Sequence, residues 1–292
     1  MSVAQRAAPV GGSAPLLPDQ PREFSFSDAD FSGLARIAYD YAGISLSDSK
    51  RNLVYSRLSR RLRVLGLETF AAYRAYLDET PREIENFINS ISTNHTRLFR
   101  EAHHFDHLRA NVIQPFVAEA KRGRAQRMRI WSAGCSSGEE PFTIAAVICK
   151  ELPDAARHDV RILATDIDTD VLRKAERGEF MTTAVDEVPK AYAPLFRSGS
   201  GGSLVADASM RDLISFRRLN LMESWPFRGS FDAIFCRNVM IYFDAPTKSK
   251  LIDRFTQCLK PGGWLYIGHS ESLIGTHPHL QSIGRTIYRG IA

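Results

Sequence analysis

Cysteine is scarce in this sequence. Four residues in 292 (positions 135, 149, 236 and 258) include no Cys-x-x-Cys pair. Neither a disulfide framework nor a thiolate zinc cluster is expected, and a reducing compartment fits. No run reaches the roughly 18 uninterrupted apolar residues of a membrane-spanning helix, so a cytoplasmic protein not inserted in a membrane is expected. His103, His104 and His107 share one string, and the first and last could lie on one helix face. The His-Glu-x-x-His arrangement of zinc hydrolases is missing, and no metal site is expected. The first 22 residues are rich in Ala, Pro and Gly, with no basic start before an apolar run. They read as a disordered tail, not a signal peptide.

Acidic residues are missing from one segment. Between Ser49 and Leu67 stand Lys50, Arg51, Arg57, Arg60, Arg61 and Arg63, with no Asp or Glu; removing those six from a net charge of +5 leaves the rest at −1. The positive field therefore belongs to one segment. Within it, Val54, Leu58, Leu62 and Leu65 recur at helical spacing. At 100° per residue, Lys50, Arg57, Arg60 and Arg61 project away from that stripe as a basic ridge. On composition alone such a ridge is equally a solvated helix face.

Residues 23–90 read as a small all-helical domain. Ser27 or Asp28 caps a first helix that ends at Gly43, and two short helices divide at Pro81. Over 91–292 the pattern becomes α/β. MRIWSAG, DVRILATDID, FDAIFC and WLYIGHS read as strands with helices between them, Pro261-Gly262-Gly263 closes the last helix, and RTIYRGI reads as a final edge strand. Such alternation predicts a mostly parallel sheet covered on both faces. About 184–218 the alternation breaks, and a Gly/Ser turn between two β-like runs predicts an inserted β-hairpin.

Ligands of such sheets bind beyond the carboxyl ends of the strands. After the first strand, W-S-A-G-C-S-S-G-E-E-P places Gly134 and Gly138 where a ligand can approach the backbone closely. A pyrophosphate is not expected, because Glu139 and Glu140 would repel it from the helix start. A cationic or hydroxyl-rich ligand fits instead, and S-adenosylmethionine is both. After the second strand, Asp166 can accept from two ribose hydroxyls, while Asp168 or Asp170 can cap the next helix. Arg237, Asn238 and Tyr242 follow the third strand, where packing does not require them.

The strings T-N-H-T-R-L-F-R-E-A-H-H-F (93–105), A-T-D-I-D, F-D-A-I-F-C-R-N-V-M-I-Y-F-D (231–244) and L-K-P-G-G-W-L-Y-I-G-H-S-E (259–271) together resemble the CheR family of chemotaxis receptor methyltransferases. The likeness runs over about residues 25–290. It implies a Rossmann-like S-adenosylmethionine-dependent methyltransferase domain with an inserted small β-subdomain, preceded by a small helical domain. It also implies protein-glutamate O-methylation, with S-adenosylhomocysteine as product. Carried over by position, cofactor contacts fall on Asn94, Thr96, Arg100, Glu140 (Glu139 being the alternative), Asp166, Asn220, Leu221, Arg237 and Asn238. Tyr242 would lie near the transferred methyl group, and Arg100 and Tyr242 would orient the substrate carboxylate.

The implied partners are the acidic methylation helices of receptors, a sign that suits the ridge of Lys50, Arg57, Arg60 and Arg61. The 197–212 stretch is shorter than in members that tether to a receptor's C-terminal pentapeptide, which speaks against that tether here. A monomer is expected. Glutamate is already ionised at neutral pH, so the lack of any Ser/His/Asp or Cys/His arrangement is no obstacle. A nucleic-acid methyltransferase would need an Asn/Asp-Pro-Pro-Tyr or Pro-Cys site; neither occurs, and no nucleic acid is expected. A catalytically silent cofactor-binding module stays open at this point, although Arg100 and Tyr242 argue against it.

Overall fold

The computed structural model describes residues 22–291 apart from 125–126, 228, 272 and 274–276. All of the expected tail except Arg22 lies outside the described residues. Helix α1 (Asp28–Ala42) starts from a capping box, in which Ser27 Oγ accepts from the Asp30 N–H and the Asp30 carboxylate accepts from the Ser27 N–H. It stops at Gly43, whose φ of 69° is the left-handed cap. Then come α2 (Arg51–Leu65), α3 (Phe70–Glu79) and α4 (Glu83–Ile91). The apolar stripe of α2 buries Val54, Leu58 and Leu62 against Phe31, Leu34, Phe70 and Phe87, giving the front domain a core of its own.

The chain then forms α5 (His103–Leu108), a π-helical turn (Arg109–Ile113) and α6 (Gln114–Lys121), with Pro115 in the first turn of α6. After that, strands and helices alternate: β1 (Met128–Ala133), α7 (Glu139–Glu151), β2 (Val160–Asp166) and α8 (Thr169–Arg177). Three short strands follow, β3 (Glu179–Phe180), β4 (Phe196–Ser198) and β5 (Leu204–Ala206), then the single turn α9 (Ala208–Arg211). Last come β6 (Ile214–Arg218), β7 (Phe231–Cys236), α10 (Ala245–Cys258), β8 (Leu259–Ile267), β9 (Leu280–Gly284) and β10 (Ile287–Gly290).

Among the described residues the main sheet has seven strands in the order β6-β2-β1-β7-β8-β10-β9. The first five run parallel, and β10 is antiparallel to both its neighbours. The central strand β1 is buried at nearly every position, as a strand covered on both faces must be. One face packs on α5, α6 and α7; the other packs on α10 around the fully buried Trp131. The strand order reverses between β1 and β7, which opens a crevice beyond their carboxyl ends.

Three expectations are corrected. The expected hairpin is present as β4 and β5, antiparallel about the Gly/Ser turn, but it ends at Ala206 and β3 joins it in the order β3-β5-β4; Ile214–Arg218 is instead β6 of the main sheet. β6 pairs with β2, and its Ile214 and Phe216 pack beside Ala164 and Leu172 at the sheet edge. Pro261-Gly262-Gly263 does not close a helix but lies inside β8, where the register slips opposite Phe231 and Ala233. Gly262, with φ 76°, supplies that bulge. Finally, the edge is β9 and not the RTIYRGI strand. Arg285 and Thr286 both take left-handed φ values, 52° and 60°, and fold a tight hairpin that inserts β10 between β8 and β9.

Candidate active site

A cavity occupies the crevice at the strand-order switch, walled by the sheet's carboxyl ends on one side and by the helical domain on the other. Its floor is the turn after β1. The Gly134 and Cys135 N–H groups both donate to the Thr165 carbonyl, at 2.8 and 2.9 Å. Gly134 has φ 80°, and a Cβ there would collide with the Val239 side chain. Only glycine lets the β1 turn and the loop after β7 approach so closely.

Asp166 ends β2 and is 8% exposed. Its Oδ2 accepts from the Ser136 N–H at 2.8 Å and its Oδ1 from the Asp168 N–H at 3.0 Å. Burial pushes its carboxyl up to about 6 despite those bonds. Each oxygen keeps a lone pair for a further donor. Asp168 caps α8 by accepting from the Asp170 and Val171 N–H groups, as anticipated. It also accepts from Asn94 Nδ2 at 2.7 Å, which ties the segment after α4 to the end of β2.

Arg237, directly after β7, has a side chain only 3% exposed. Its Nη1 donates to Glu140 Oε2 at 2.9 Å, its Nη2 lies 3.3 Å from Glu101 Oε2, and Nη2 also donates to the Arg100 carbonyl. Glu140 further accepts from Ser132 Oγ at 2.7 Å. Burial raises the Glu140 carboxyl, with the Arg237 charge opposing it. Glu139 turns to Ser137 instead and is not part of the cavity wall, so Glu140 is the member of the pair that faces the cavity. Burial also raises Glu101, but there the Arg237 charge and neighbouring donors prevail and hold it below the usual range.

Asn94, His95, Thr96, Arg97 and Arg100 form the lid of the cavity, while Leu98 and Phe99 between them are buried in the core. Phe99 and Glu101 adopt φ values of 54° and 57°, which bulky residues hold only under external constraint. The constraint is visible: the Leu98 N–H donates to Glu187, the Phe99 N–H donates to Thr143, and the Phe99 ring packs 4.8 Å from Tyr192. Arg100 Nη1 donates to the His95 carbonyl at 2.9 Å. Tyr242 is fixed at two points, its hydroxyl donating to the Thr93 carbonyl at 3.1 Å and its carbonyl accepting from the Ser45 N–H at 2.8 Å. Asn220 is almost fully buried and donates to the Tyr41 carbonyl, again bridging the two domains.

All nine positions expected to touch the cofactor, together with Tyr242, thus line one cavity. The helical domain's share was not foreseen: Ala42, Ser45 and Leu53 also form its wall. Their apolar or small character carries no signal in a linear reading. Glu101 was missed as well, although it stands inside the 93–105 string.

The four basic residues divide. Lys50 lines the cavity. Arg57 Nη1 donates to the Ile91 and Ser92 carbonyls, both at 2.7 Å, capping the end of α4, and its charge reaches the Tyr242 phenol. Arg60 is exposed and has no carboxylate partner among the described residues. Arg61 departs from the expected ridge. It forms a two-pronged pair with Glu83, whose side chain is 3% exposed and also accepts from Tyr73 and Asn86. Its charge is spent inside the domain.

The cysteines at and behind the cavity are not poised as thiolates. Burial pushes the Cys135 and Cys236 thiols well above their ordinary range. Burial, aided by the Arg237 charge, brings His104 down to about 3, so that imidazole is neutral. Among the described residues no cluster of His, Cys, Asp and Glu could hold a metal ion, and no helix is long and apolar enough to cross a membrane.

Residues 94–289 match the SAM binding domain of CheR methyltransferase, and residues 29–92 match the CheR methyltransferase all-alpha domain. The chain belongs to the CheR methyltransferase family. It is also similar over most of its length to chemotaxis protein methyltransferases. It is 41% identical over 291 residues to chemotaxis protein methyltransferase 2 of Pseudomonas aeruginosa, covering 96% of this chain and 99% of that one. It is 43% identical over 259 residues to a probable chemotaxis protein methyltransferase of Rhizobium etli, covering 86% and 96%. Against the chemotaxis protein methyltransferase of Escherichia coli it is 39% identical over 284 residues, covering 95% and 96%. The CheR all-alpha domain and SAM binding domain meet at the cavity, and the boundary between the two matches falls at its lid.

Proposed function

We propose that this CheR protein transfers a methyl group from S-adenosylmethionine to glutamate carboxylates on the acidic methylation helices of chemotaxis receptors, in the cytoplasm. The observation that carries this reading is the convergence of Asn94, Thr96, Arg100, Glu140, Asp166, Asn220, Leu221, Arg237, Asn238 and Tyr242 on one cavity. The residues fit the cofactor chemically. Asp166 offers acceptor capacity for a ribose diol, and the acidic floor with Glu140 favours a cation. The turn after β1, at Gly134, Cys135 and Ser136, presents backbone to the same cavity. When bound, the cofactor supplies an electrophilic methyl group on a positively charged sulfur.

The acceptor carboxylate is ionised at neutral pH, so its oxygen attacks without a general base. Displacement at that methyl carbon would leave the C–S electron pair on sulfur, so no side chain of the protein need move a proton. The protein's task is alignment and exclusion of water, which can supply much of the acceleration. Lys50 and Arg100 draw the carboxylate towards the cavity, while Tyr242, anchored to both domains, orients it. Arg100 steers and does not form a permanent pair, which would quench the nucleophile. The ester removes one negative charge from a receptor helix and weakens like-charge repulsion there. The inserted sheet β3-β5-β4 has strands of only two or three residues, and we take the protein to act as a monomer without a pentapeptide tether. Receptor membranes incubated with labelled cofactor should gain label that mild base releases as methanol. Label stable to base would point to another acceptor.

A further inference from the structure

Glu271 lies just beyond β8 and is 6% exposed. It has no cationic partner among the described residues, an expensive position for a carboxylate unless hydrogen bonds replace water. Three backbone N–H groups do so. Oε2 accepts from Asn238 at 2.9 Å and from Gly268 at 2.6 Å, and Oε1 accepts from Ile241 at 3.0 Å. Two of those donors belong to the loop after β7, which carries Arg237, Asn238 and Tyr242 into the cavity. Asn238 has φ 60°, so its N–H points off the line of the strand and needs an acceptor there. A Cβ on Gly268 would strike Asn238 and Glu271, so the strand ends are packed without slack.

We infer that Glu271 is a positioning residue, whose two oxygens separately set Asn238 at the cofactor and, through Ile241, Tyr242 at the acceptor. This rests on the functional reading above for what those two residues touch. Oε2 holds the Asn238 end of the loop, and Oε1 holds the turn into Tyr242. Charge-assisted bonds of this kind are shorter and stronger than neutral ones. The fixed carboxylate therefore gives the loop one geometry at both reactants.

The test is Glu271→Gln in the full chain. The amide has one oxygen. Facing Asn238 and Gly268 it keeps two bonds, and its NH2 then opposes the Ile241 N–H. Expected are faster amide exchange confined to residues 239–242, S-adenosylhomocysteine affinity within about threefold of the parent, and a kcat lowered at least about tenfold. A purely structural role would instead lower the fraction of sites that bind S-adenosylhomocysteine, with kcat per binding site unchanged; that outcome overturns the proposal. So does parental exchange across 239–242. Should the Gln variant not fold, Glu271→Asp retains the charge but is too short to span both ends. It should show the same local exchange and a weaker S-adenosylhomocysteine complex, and parental values for both would overturn the proposal. If the parent methylates no receptor, the functional reading fails, while exchange and S-adenosylhomocysteine affinity still decide the role of Glu271.

Discussion

Arg237 Nη1 donates to Glu140 Oε2 at 2.9 Å, joining the end of β7 to the first turn of α7 across the strand-order switch. One guanidinium also faces Glu101 and takes the Arg100 carbonyl, so a single buried cation organises the floor and the lid together. Replacing it with a similar apolar volume, Arg237→Met, leaves two buried carboxylates without a cation. A loss of about 3–5 kcal/mol is expected. Glu140→Gln leaves Arg237 paired with Glu101 and should cost clearly less. Urea unfolding of both variants checks this; equal losses would show that the pair does not organise the site.

Asp166 sets a pH dependence whose sign follows from its raised carboxyl, about 6 in the folded protein against an ordinary 3.8. A folded-state value above the unfolded one means that folding is penalised while the group is ionised. That penalty is present above about pH 6 and is relieved as pH falls from 6 towards 4. Relative to Asp166→Asn, the parent without cofactor should therefore gain stability on acidification through that window. Cofactor affinity should move the opposite way, since ribose hydroxyls donate best to the ionised form. S-adenosylhomocysteine titrations from pH 8 to 5 should weaken below about 6 in the parent and stay weak and flat in the Asn variant. Parallel curves would remove Asp166 from the site.

Arg60 and Arg61 are sequence neighbours with opposite expected phenotypes. Arg61→Ala strands Glu83 and should cost about 3 kcal/mol in thermal or urea unfolding. Arg60→Glu should leave stability within about 0.5 kcal/mol and raise the receptor KM, and the parent KM should rise with salt. Cofactor affinity should be unchanged in the Arg60 variant. Equal receptor kinetics would return Arg60 to a solvated face.

Arg100→Lys separates charge from geometry. Lysine retains the cation but loses the planar guanidinium, one nitrogen of which donates to the His95 carbonyl. The variant should keep its melting temperature and lose kcat about as severely as Arg100→Ala. Parental kcat would show that charge alone suffices and that Arg100 does not orient the acceptor.

The helices of the front domain and the strands β1, β2, β7 and β8 were legible because their signals are local: the stripe of Val54, Leu58 and Leu62, the caps at Ser27, Gly43 and Asp168, and the turn at Gly134. Asp166, Arg237 and Asn238 could be proposed from position alone, since strand ends in such sheets face the ligand. Asn220 and Leu221 could not; only the family resemblance pointed to them, because β6 reaches the sheet by a non-local parallel pairing that no linear pattern records. The same holds for Arg61, whose helical projection faces outward although Glu83, from another helix, claims its charge. Glu271 was invisible for a third reason. Its partners are backbone N–H groups, which every residue possesses.

Methyl transfer to receptor glutamate is tested most directly by incubating the protein with labelled S-adenosylmethionine and membranes bearing its host's chemotaxis receptors, then mapping the label by peptide mass spectrometry. The Asp166→Ala variant serves as control. The expected result is base-labile methyl ester on glutamates of cytoplasmic receptor helices, formed by the parent and nearly absent with the variant. Tight S-adenosylhomocysteine binding with no methyl ester on any receptor glutamate would contradict it.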